Sequence, residues 1–308
     1  MSSPDNTVPR VSIVIPTYDR LEYLRETVGS VRAQTLTEWE LIVVDDGSTD
    51  GSVAWLESLN DQRILIVSRA HSGNPALNRN VGIAHARAPW VAFLDSDDAW
   101  LPGKLATQLA ELDNNPSCRW SCTGVSFIDG SGAPVAQQAG VPYRAQSGWI
   151  VEQLLTFAAA ATISTLIVDR SLLEEAGGFD EAVFLREDYD LALRLATRSE
   201  IHALPGALTL VRHHPGRSTS QERVADLHRT NDQVFRKFAR ATDNPALRAI
   251  CRRQSATQLI ARARALSLGG EHQGALASSA HAILAMPRMR VAWRSAAACV
   301  LRWVTATR

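Results

Sequence analysis

This sequence lacks any excess of positive or negative charge. Lys+Arg and Asp+Glu both number 32 in 308 residues, so the formal net charge is zero. A chain with no global basic field has nothing to hold nucleic acid with, and that partner class is set aside. Long apolar runs are missing too: no stretch of about 18 residues escapes interruption by charge, which argues against a transmembrane helix. Met1-Ser2-Ser3-Pro4-Asp5 has neither a charged start nor an apolar run. No secretory signal is therefore expected, and the expectation is a cytoplasmic protein. Cysteine is scarce. Cys118 and Cys122 have no second pair and no His partner nearby, so zinc is not expected; with Cys251 and Cys299 they are read as reduced thiols. No Gly-x-Gly-x-x-Gly, no Gly-Lys-Ser/Thr and no Gly-x-Ser-x-Gly occurs, which excludes a Rossmann dinucleotide site, a P-loop and a hydrolase elbow.

What is present is an alternation. The composition, 45% hydrophobic and 21% charged, is that of a soluble globular protein, and the length suits one large domain with an appendage. Val11–Ile15, Leu41–Val44, Ile64–Val67 and Trp90–Leu94 are short apolar runs. Between them lie helical patterns: Leu21, Leu24, Val28 and Val31 first, then Val53–Leu59 and Ala76–Ala86. Asp19 with Glu22 predicts a capping box for the first helix. Nearly continuous apolar strands between helices predict a mostly parallel sheet covered on both faces. Beyond residue 115, Cys118–Ile128, the Asp129-Gly130-Ser131-Gly132 turn and Thr165–Val168 suggest further, mixed strands. From about Gln221 the pattern is helical, broken at Asn244-Pro245, Gly269-Gly270 and Met286-Pro287. Two domains are expected, 1–218 and 219–308.

Three of the four strands run into carboxylates: Asp19, then Asp45 and Asp46, then Asp95, Asp97 and Asp98. Ligands of open α/β sheets bind outside the carboxyl ends of the strands. Carboxylates gathered there repel one another unless a cation or hydrogen-bond donors offset them. Hard oxygen ligands select Mg²⁺ or Mn²⁺, ions that commonly bridge to substrate phosphates. Each pattern also has a plain structural reading. Asp45–Asp50 could be a turn and helix cap, and Asp95–Asp98 a solvated loop. Their joint occurrence at successive strand ends favours the functional one.

At this point the chain resembles the family 2 glycosyltransferases, inverting enzymes of the GT-A fold. The resemblance rests on Val11–Tyr18, Val44–Asp50, Arg79-Asn80-Val81-Gly82-Ile83 and Phe93–Asp98 with Trp100, Pro102 and Lys104. It continues through Gly177–Glu181, Glu187–Leu191 and His214-Pro215-Gly216 with Ser218, all in family order. Asn74-Pro75-Ala76-Leu77-Asn78 departs from it, standing where the family more often has small residues. The implied fold is an α/β GT-A sheet with a C-terminal all-helical extension. The implied activity is metal-dependent transfer of a sugar, hexosyl in type, from a nucleotide-diphosphate donor to an acceptor hydroxyl.

The resemblance also distributes roles. Pro16, Thr17, Tyr18 and one or both of Asp45 and Asp46 would hold the nucleoside; Arg79 and Ser96 would lie near the donor. Asp95 would approach the ribose or the metal, Asp97 would ligate the metal, and His214, or His213 beside it, would complete that site. Asp188 is the candidate general base, with Glu187 in an orienting role; a plain first helical turn is the structural alternative for this pair. Expected partners are a UDP- or dTDP-linked sugar and a saccharide or lipid-linked saccharide acceptor, in bacterial envelope polysaccharide or glycolipid assembly. Transfer to a polyprenyl phosphate and a non-catalytic scaffold with a partner-binding tail are the alternatives. In that tail Arg288, Arg290, Arg294, Arg302 and Arg308 alternate with Val291, Trp293, Val300, Leu301, Trp303 and Val304. Such a helix suits peripheral contact with an anionic membrane, or packing of its apolar stripe on the bundle.

Overall fold

The computed structural model describes residues 8–135, 146–214 and 223–306. Pro215, Gly216, Ser218, Arg308, the first five residues and the expected boundary at 218 lie outside them. The four apolar runs form strands: β1 (Val11–Thr17), β2 (Trp39–Asp45), β3 (Ile64–Ser68) and β4 (Trp90–Phe93). Helices α1 (Leu21–Arg32), α2 (Ser52–Ser58) and α3 (Pro75–His85) connect them. All pairings among these strands are parallel, in the order β3-β2-β1-β4. Next come β5 (Ala99–Trp100), α4 (Lys104–Asn114), β6 (Cys118–Asp129), β7 (Pro134–Val135) and α5 (Val151–Leu155). Then follow β8 (Ile167–Asp169), α6 (Arg170–Ala176), α7 (Glu187–Ala196) and β9 (Glu200–His213). These strands extend the sheet as β4-β8-β6-β9-β5, with β7 beside β6. Here only β6–β9 is parallel, so the sheet is parallel in its first half and mixed in its second.

Strand alternation assigns the two faces. Val11, Ile13 and Ile15 point one way, into a core with Leu24, Val28 and Val31 of α1, Leu56 of α2, and Leu105, Leu109 and Leu112 of α4. Val14 points the other way, onto Gly82 of α3. Phe93 also faces that side and meets Phe179 edge-on at 5.2 Å. Both faces are covered, as near-continuous apolar strands require.

Two local expectations resolve differently. The capping box does not form. Asp19 takes a left-handed conformation (φ 43°), and its carboxylate accepts the Thr49 amide at 2.7 Å. Asp50 reaches back instead to accept the Leu21 amide at 2.8 Å, so the two loops cap each other across the sheet end. At α3 the departure at Asn74-Pro75 has a structural cause. Asn74 Oδ1 accepts the Ala76 and Leu77 amides, and Pro75 sits at the first helical position, where no donor is needed.

The chain divides into two compact units. The second takes in 152–158 and 182–186 as well as residues from 215 onward. Its helices are α8 (Val224–Ala241), α9 (Pro245–Leu268), α10 (His272–Ala285) and α11 (Arg290–Ala306). Asn244-Pro245 caps α9, as the helix breaks predict. The bundle interior is made of small residues: Ala263, Ala275, Ala282, Ala292 and Cys299 are buried with Leu259, Ile260 and Leu266. In α11 the residues that pack are Ala292, Ser295 and Cys299, while Trp293, Leu301, Trp303 and Val304 stay exposed. No helix among the described residues is long and apolar enough to cross a membrane. All four cysteines are buried and none is in a disulfide.

A Cβ on Gly82 would lie 2.3 Å from Val14 Cγ1, and Val14 is fully buried and β-branched, so it cannot retreat. Gly82→Ala should therefore destabilise the protein by about 1–3 kcal/mol. Adding Val14→Ala should relieve the clash, so that the double variant loses less than the two single losses combined; urea unfolding of the four proteins checks this.

Candidate active site

The carboxyl ends of β1, β2 and β4 lie side by side, with Thr17 opposite Asp45 in the parallel register. At this edge the two aspartates after β2 differ in what they still have to offer. Asp46 is fully engaged: one oxygen accepts the Ser72 amide and hydroxyl, the other the Gly73 amide at 2.8 Å. Burial raises its pKa, but these bonds outweigh burial and hold it below the ordinary carboxylate value. Asp45 spends Oδ2 on the Gly47 and Ser48 amides, while its Oδ1 and Thr17 Oγ1 are buried with no hydrogen-bond partner among the described residues. Buried polar atoms are normally bonded, so two such atoms on adjacent strand ends mark a place where a polar ligand fits. Above them Tyr18, 41% exposed, stacks on His71 with ring centroids 4.0 Å apart, and His71 Nδ1 lies 3.0 Å from the Asp46 carbonyl. Pro16 is partly exposed at the same strand end, whereas Ser96 is buried with its carbonyl bonded to Thr27 Oγ1.

Beyond β4, Asp95, Asp97 and Asp98 place carboxylate oxygens within 4.8 Å of one another. Each is compensated differently. Asp95 takes Nη2 of Arg79 at 2.7 Å. Burial and the charges of Asp97 and Glu187 nevertheless raise its pKa, because Arg79 only partly offsets them. Asp97 Oδ2 lies 2.9 Å from Arg20 Nη1 and 2.9 Å from His214 Nε2. Asp98 accepts the Ser164 hydroxyl at 2.6 Å and the Arg212 amide at 2.9 Å. Its pKa is pushed up to about 8 by burial first, then by the charges of Asp97 and Asp95.

Residues quoted only as motif partners turn out to support this cluster. Burial pushes the pKa of the Lys104 amine well below its ordinary value, and its Nζ stands over the Trp100 ring at 3.9 Å. Trp100 Nε1–H donates to the Ser164 carbonyl, and the Ser164 hydroxyl serves both Asp98 and the Asp95 amide. Arg212 is almost fully buried and donates to the carbonyls of Asp97 and Asp129 and to the Glu26 carboxylate.

Two distant motifs converge on α3. Asn80 bonds the backbone of Phe179 in both directions, at 2.8 and 3.0 Å. A Cβ on Gly178 would stand 2.7 Å from Asn80 Oδ1, and its φ of 65° suits glycine as well. Arg79 joins Asp95 to Glu187, its Nη1 lying 2.7 Å from Glu187 Oε1. Burial lowers the Arg79 pKa, but the two carboxylates more than reverse that. Glu187 opens α7, and Asp188 follows it, partly exposed, with Oδ1 accepting the Tyr189 amide. His213 packs edge-on against Phe127 at 4.9 Å, so His214 is the one of the pair that touches Asp97.

Sequence reasoning missed Arg20, His71 and Arg212. Arg20 follows the β1 loop directly and Arg212 precedes the His-His pair, but only folding brings them to the acidic cluster.

Residues 12–159 match the model of glycosyl transferase family 2. The chain carries a family 2 glycosyltransferase domain. It is 40% identical over 132 residues to TuaG of Bacillus subtilis, named as a teichuronic acid biosynthesis glycosyltransferase; the match covers 42% of this chain and 52% of that protein. It is 28% identical over 194 residues to WfgD of Escherichia coli, named as a UDP-Glc:alpha-D-GlcNAc-diphosphoundecaprenol beta-1,3-glucosyltransferase; there the match covers 63% of this chain and 72% of that one. An uncharacterized glycosyltransferase of Rickettsia felis is 30% identical over 251 residues, 78% of this chain and 40% of its own length. The chain thus spans about half of the first of these relatives and less of the third. Its fold matches residues 1–349 of TarS from S. aureus in complex with UDP-GlcNAc, with a TM-score of 0.72 at 20% identity, covering 96% of this chain and 89% of that one. With the family domain and this likeness, the fold is the GT-A-type α/β fold with C-terminal helices.

A divalent cation fits the acidic end. Asp95 and Asp97 present hard oxygens, His214 Nε2 is within reach of Asp97, and the pKa of Asp95 is raised by burial first and then by the charges of Asp97 and Glu187, all of which a dication would offset. Asp98 has both oxygens bonded and supports the others.

Asp98 also makes stability depend on pH. Between the ordinary aspartate value near 4 and about 8, the folded protein keeps a proton that the unfolded chain has lost, so stability falls as pH rises through that window. In EDTA, Asp98→Asn should flatten the decline in melting temperature across it. An unchanged slope would mean that Asp98 ionises normally.

Proposed function

We propose that this protein is an inverting glycosyltransferase that moves a sugar from a nucleotide-diphosphate donor to an acceptor hydroxyl in bacterial envelope polysaccharide or glycolipid assembly. The observation that carries the reading is the Asp45–Thr17 edge beside the Asp95–Asp97–His214 group: unspent polar atoms for a nucleoside stand next to oxygen ligands for the cation of a diphosphate. A uridine diphosphate sugar is the proposed donor, supported by the UDP-GlcNAc complex of the TarS neighbour and the UDP-Glc in the name of WfgD. The same relative's name supports a lipid-linked saccharide as acceptor. The exposed Trp293, Leu301 and Trp303 of α11 support peripheral contact with an anionic membrane, at the inner face of the cell membrane.

In this reading Asp45 accepts from the base N–H and Tyr18 offers its ring face, with His71 displaced from it. Asp95, Asp97 and His214 hold Mg²⁺ or Mn²⁺, which when bound supplies positive charge against the leaving diphosphate. Asp188 takes the proton of the attacking hydroxyl, and attack opposite the diphosphate inverts the anomeric centre. Arg79 lies beside the donor site. It sets the distance between the acidic cluster and the end of α7 by gripping Asp95 and Glu187.

Calorimetry with a panel of nucleoside diphosphates, with and without Mn²⁺, tests the donor site. One nucleotide should bind in a metal-dependent way, and Asp97→Ala should abolish the metal dependence; a folded protein that binds none would overturn the proposal. Asp188→Asn should lower kcat by on the order of 10²–10⁴ while leaving donor affinity intact, since it removes a proton acceptor and no donor contact. Undiminished turnover would remove Asp188 from the chemistry.

A further inference from the structure

The zero net charge is not evenly spread. Between Arg223 and Ala306, 14 Arg and Lys residues stand against four acidic ones, leaving 18 basic against 28 acidic in the rest of the sequence. The helical unit is therefore strongly positive, and its cationic groups are gathered. A cleft of about 500 Å³ formed by α8, α9 and α10 is lined by Arg236, Arg240, Arg248, Arg252 and His281. None of its lining residues is acidic. Arg236 is paired with Asp232, and Arg248 with Asp243 and the Thr242 carbonyl. Arg240 and Arg252 make no ion pair or hydrogen bond with any described residue.

Unneutralised guanidinium groups around one cleft repel each other, and the forked donors of arginine match phosphoryl oxygens in pairs. Apart from Ser255, whose hydroxyl is spent on Asp232, the rest of the lining is apolar. Phe235 and Cys251 form a buried floor, and Leu284 stands 75% exposed at the rim. An exposed leucine beside unpaired arginines fits a ligand whose phosphoryl group is attached to a hydrocarbon chain; free phosphate would leave the apolar rim unused.

We propose that this cleft binds the phosphoryl group of an anionic amphiphile, and that the amphiphile is the diphosphate of a lipid-linked acceptor. The second half of that statement rests on the acceptor class proposed above. The site would hold the acceptor by its lipid-phosphate end and leave its sugar free. It lies wholly within the helical unit and uses none of the residues that bind the donor.

The test uses the full chain and the exposed pair Arg240→Gln/Arg252→Gln, in EDTA so that cation-bridged binding at the acidic site is suppressed. Two sets of neutral phosphatidylcholine vesicles are compared, one doped with undecaprenyl diphosphate and the other with phosphatidylglycerol at equal charge. Wild type should prefer the diphosphate vesicles, and the double variant should bind them about ten-fold more weakly, as expected for removing charge-assisted bonds to phosphoryl oxygens. Equal binding by the variant and wild type would overturn the site. Equal loss on both vesicle types would overturn the acceptor assignment and make the ligand a bilayer headgroup. Sugar transfer to a water-soluble acceptor separates the two proposals. The variant should transfer as wild type does; no transfer by either protein would sink the enzymatic reading and leave the vesicle result standing.

Discussion

Arg79 is 4% exposed, with one amino group on Asp95 and the other on Glu187, and the relation between the two sides of the site depends on that grip. Burying a guanidinium is costly, and two carboxylates at 2.7 Å repay the cost only while both stay in place. Removing one partner of a buried ion group typically costs about 3–5 kcal/mol, because the other charges are left uncompensated. The side chain is further confined against the Phe179 ring, whose backbone is clamped by the neighbouring Asn80. Three motifs that lie far apart in the chain thus form one rigid assembly on the face of α3.

The acidic cluster shows how a protein keeps three carboxylates within 4.8 Å of one another. Asp95 is offset by a buried guanidinium, Asp97 by the partly exposed Arg20, and Asp98 by two hydrogen bonds and a pKa near 8 that lets it keep its proton. These solutions leave different things behind. A neutral Asp98 is a fixed strut for Ser164 and the Arg212 backbone. Asp97 is held by a flexible side chain at the surface, which can yield to a stronger cation. Asp95 stays charged only as far as Arg79 outweighs its neighbours. Asp95 and Asp97 are thereby left as the proposed metal ligands, although all three residue types are the same.

The parallel half of the sheet was readable because β1, β2 and β4 are buried on both faces, which writes them as unbroken apolar runs; β3, half-buried at the sheet edge with Leu65 exposed, carries the same kind of run. The helix breaks at Asn244-Pro245 and Gly269-Gly270 were readable because proline and a left-handed glycine act locally. The mixed half was less so, since the direction of β6, β8 and β9 depends on chain reversals that carry no residue signature. Local pattern also failed at Asp19: the capping box was plausible over four residues, but Thr49 from the neighbouring loop offered a better donor. Within the site, strand-end carboxylates were legible because β1, β2 and β4 all end at the same edge. Their division of labour was not. That Asp46 is spent on Ser72 and Gly73, and that Arg20 reaches His214, are facts about loops meeting in space.

The whole-chain charge balance hides a second division. The glycosyltransferase domain gathers carboxylates that would repel a phosphate, so on the function proposed above a cation would have to stand between them and the donor's diphosphate. The helical unit concentrates arginines with no acid in their cleft, so it can hold a phosphoryl group directly. On the proposed function both substrates carry phosphoryl groups and must be kept from exchanging places. A metal-requiring site and a metal-free one would separate them by chemistry as well as by shape: the donor's diphosphate would be bound where the cation is, and a lipid diphosphate would need none. Opposite charges on the two units would then cancel in the sum because each answers the same anion in a different way.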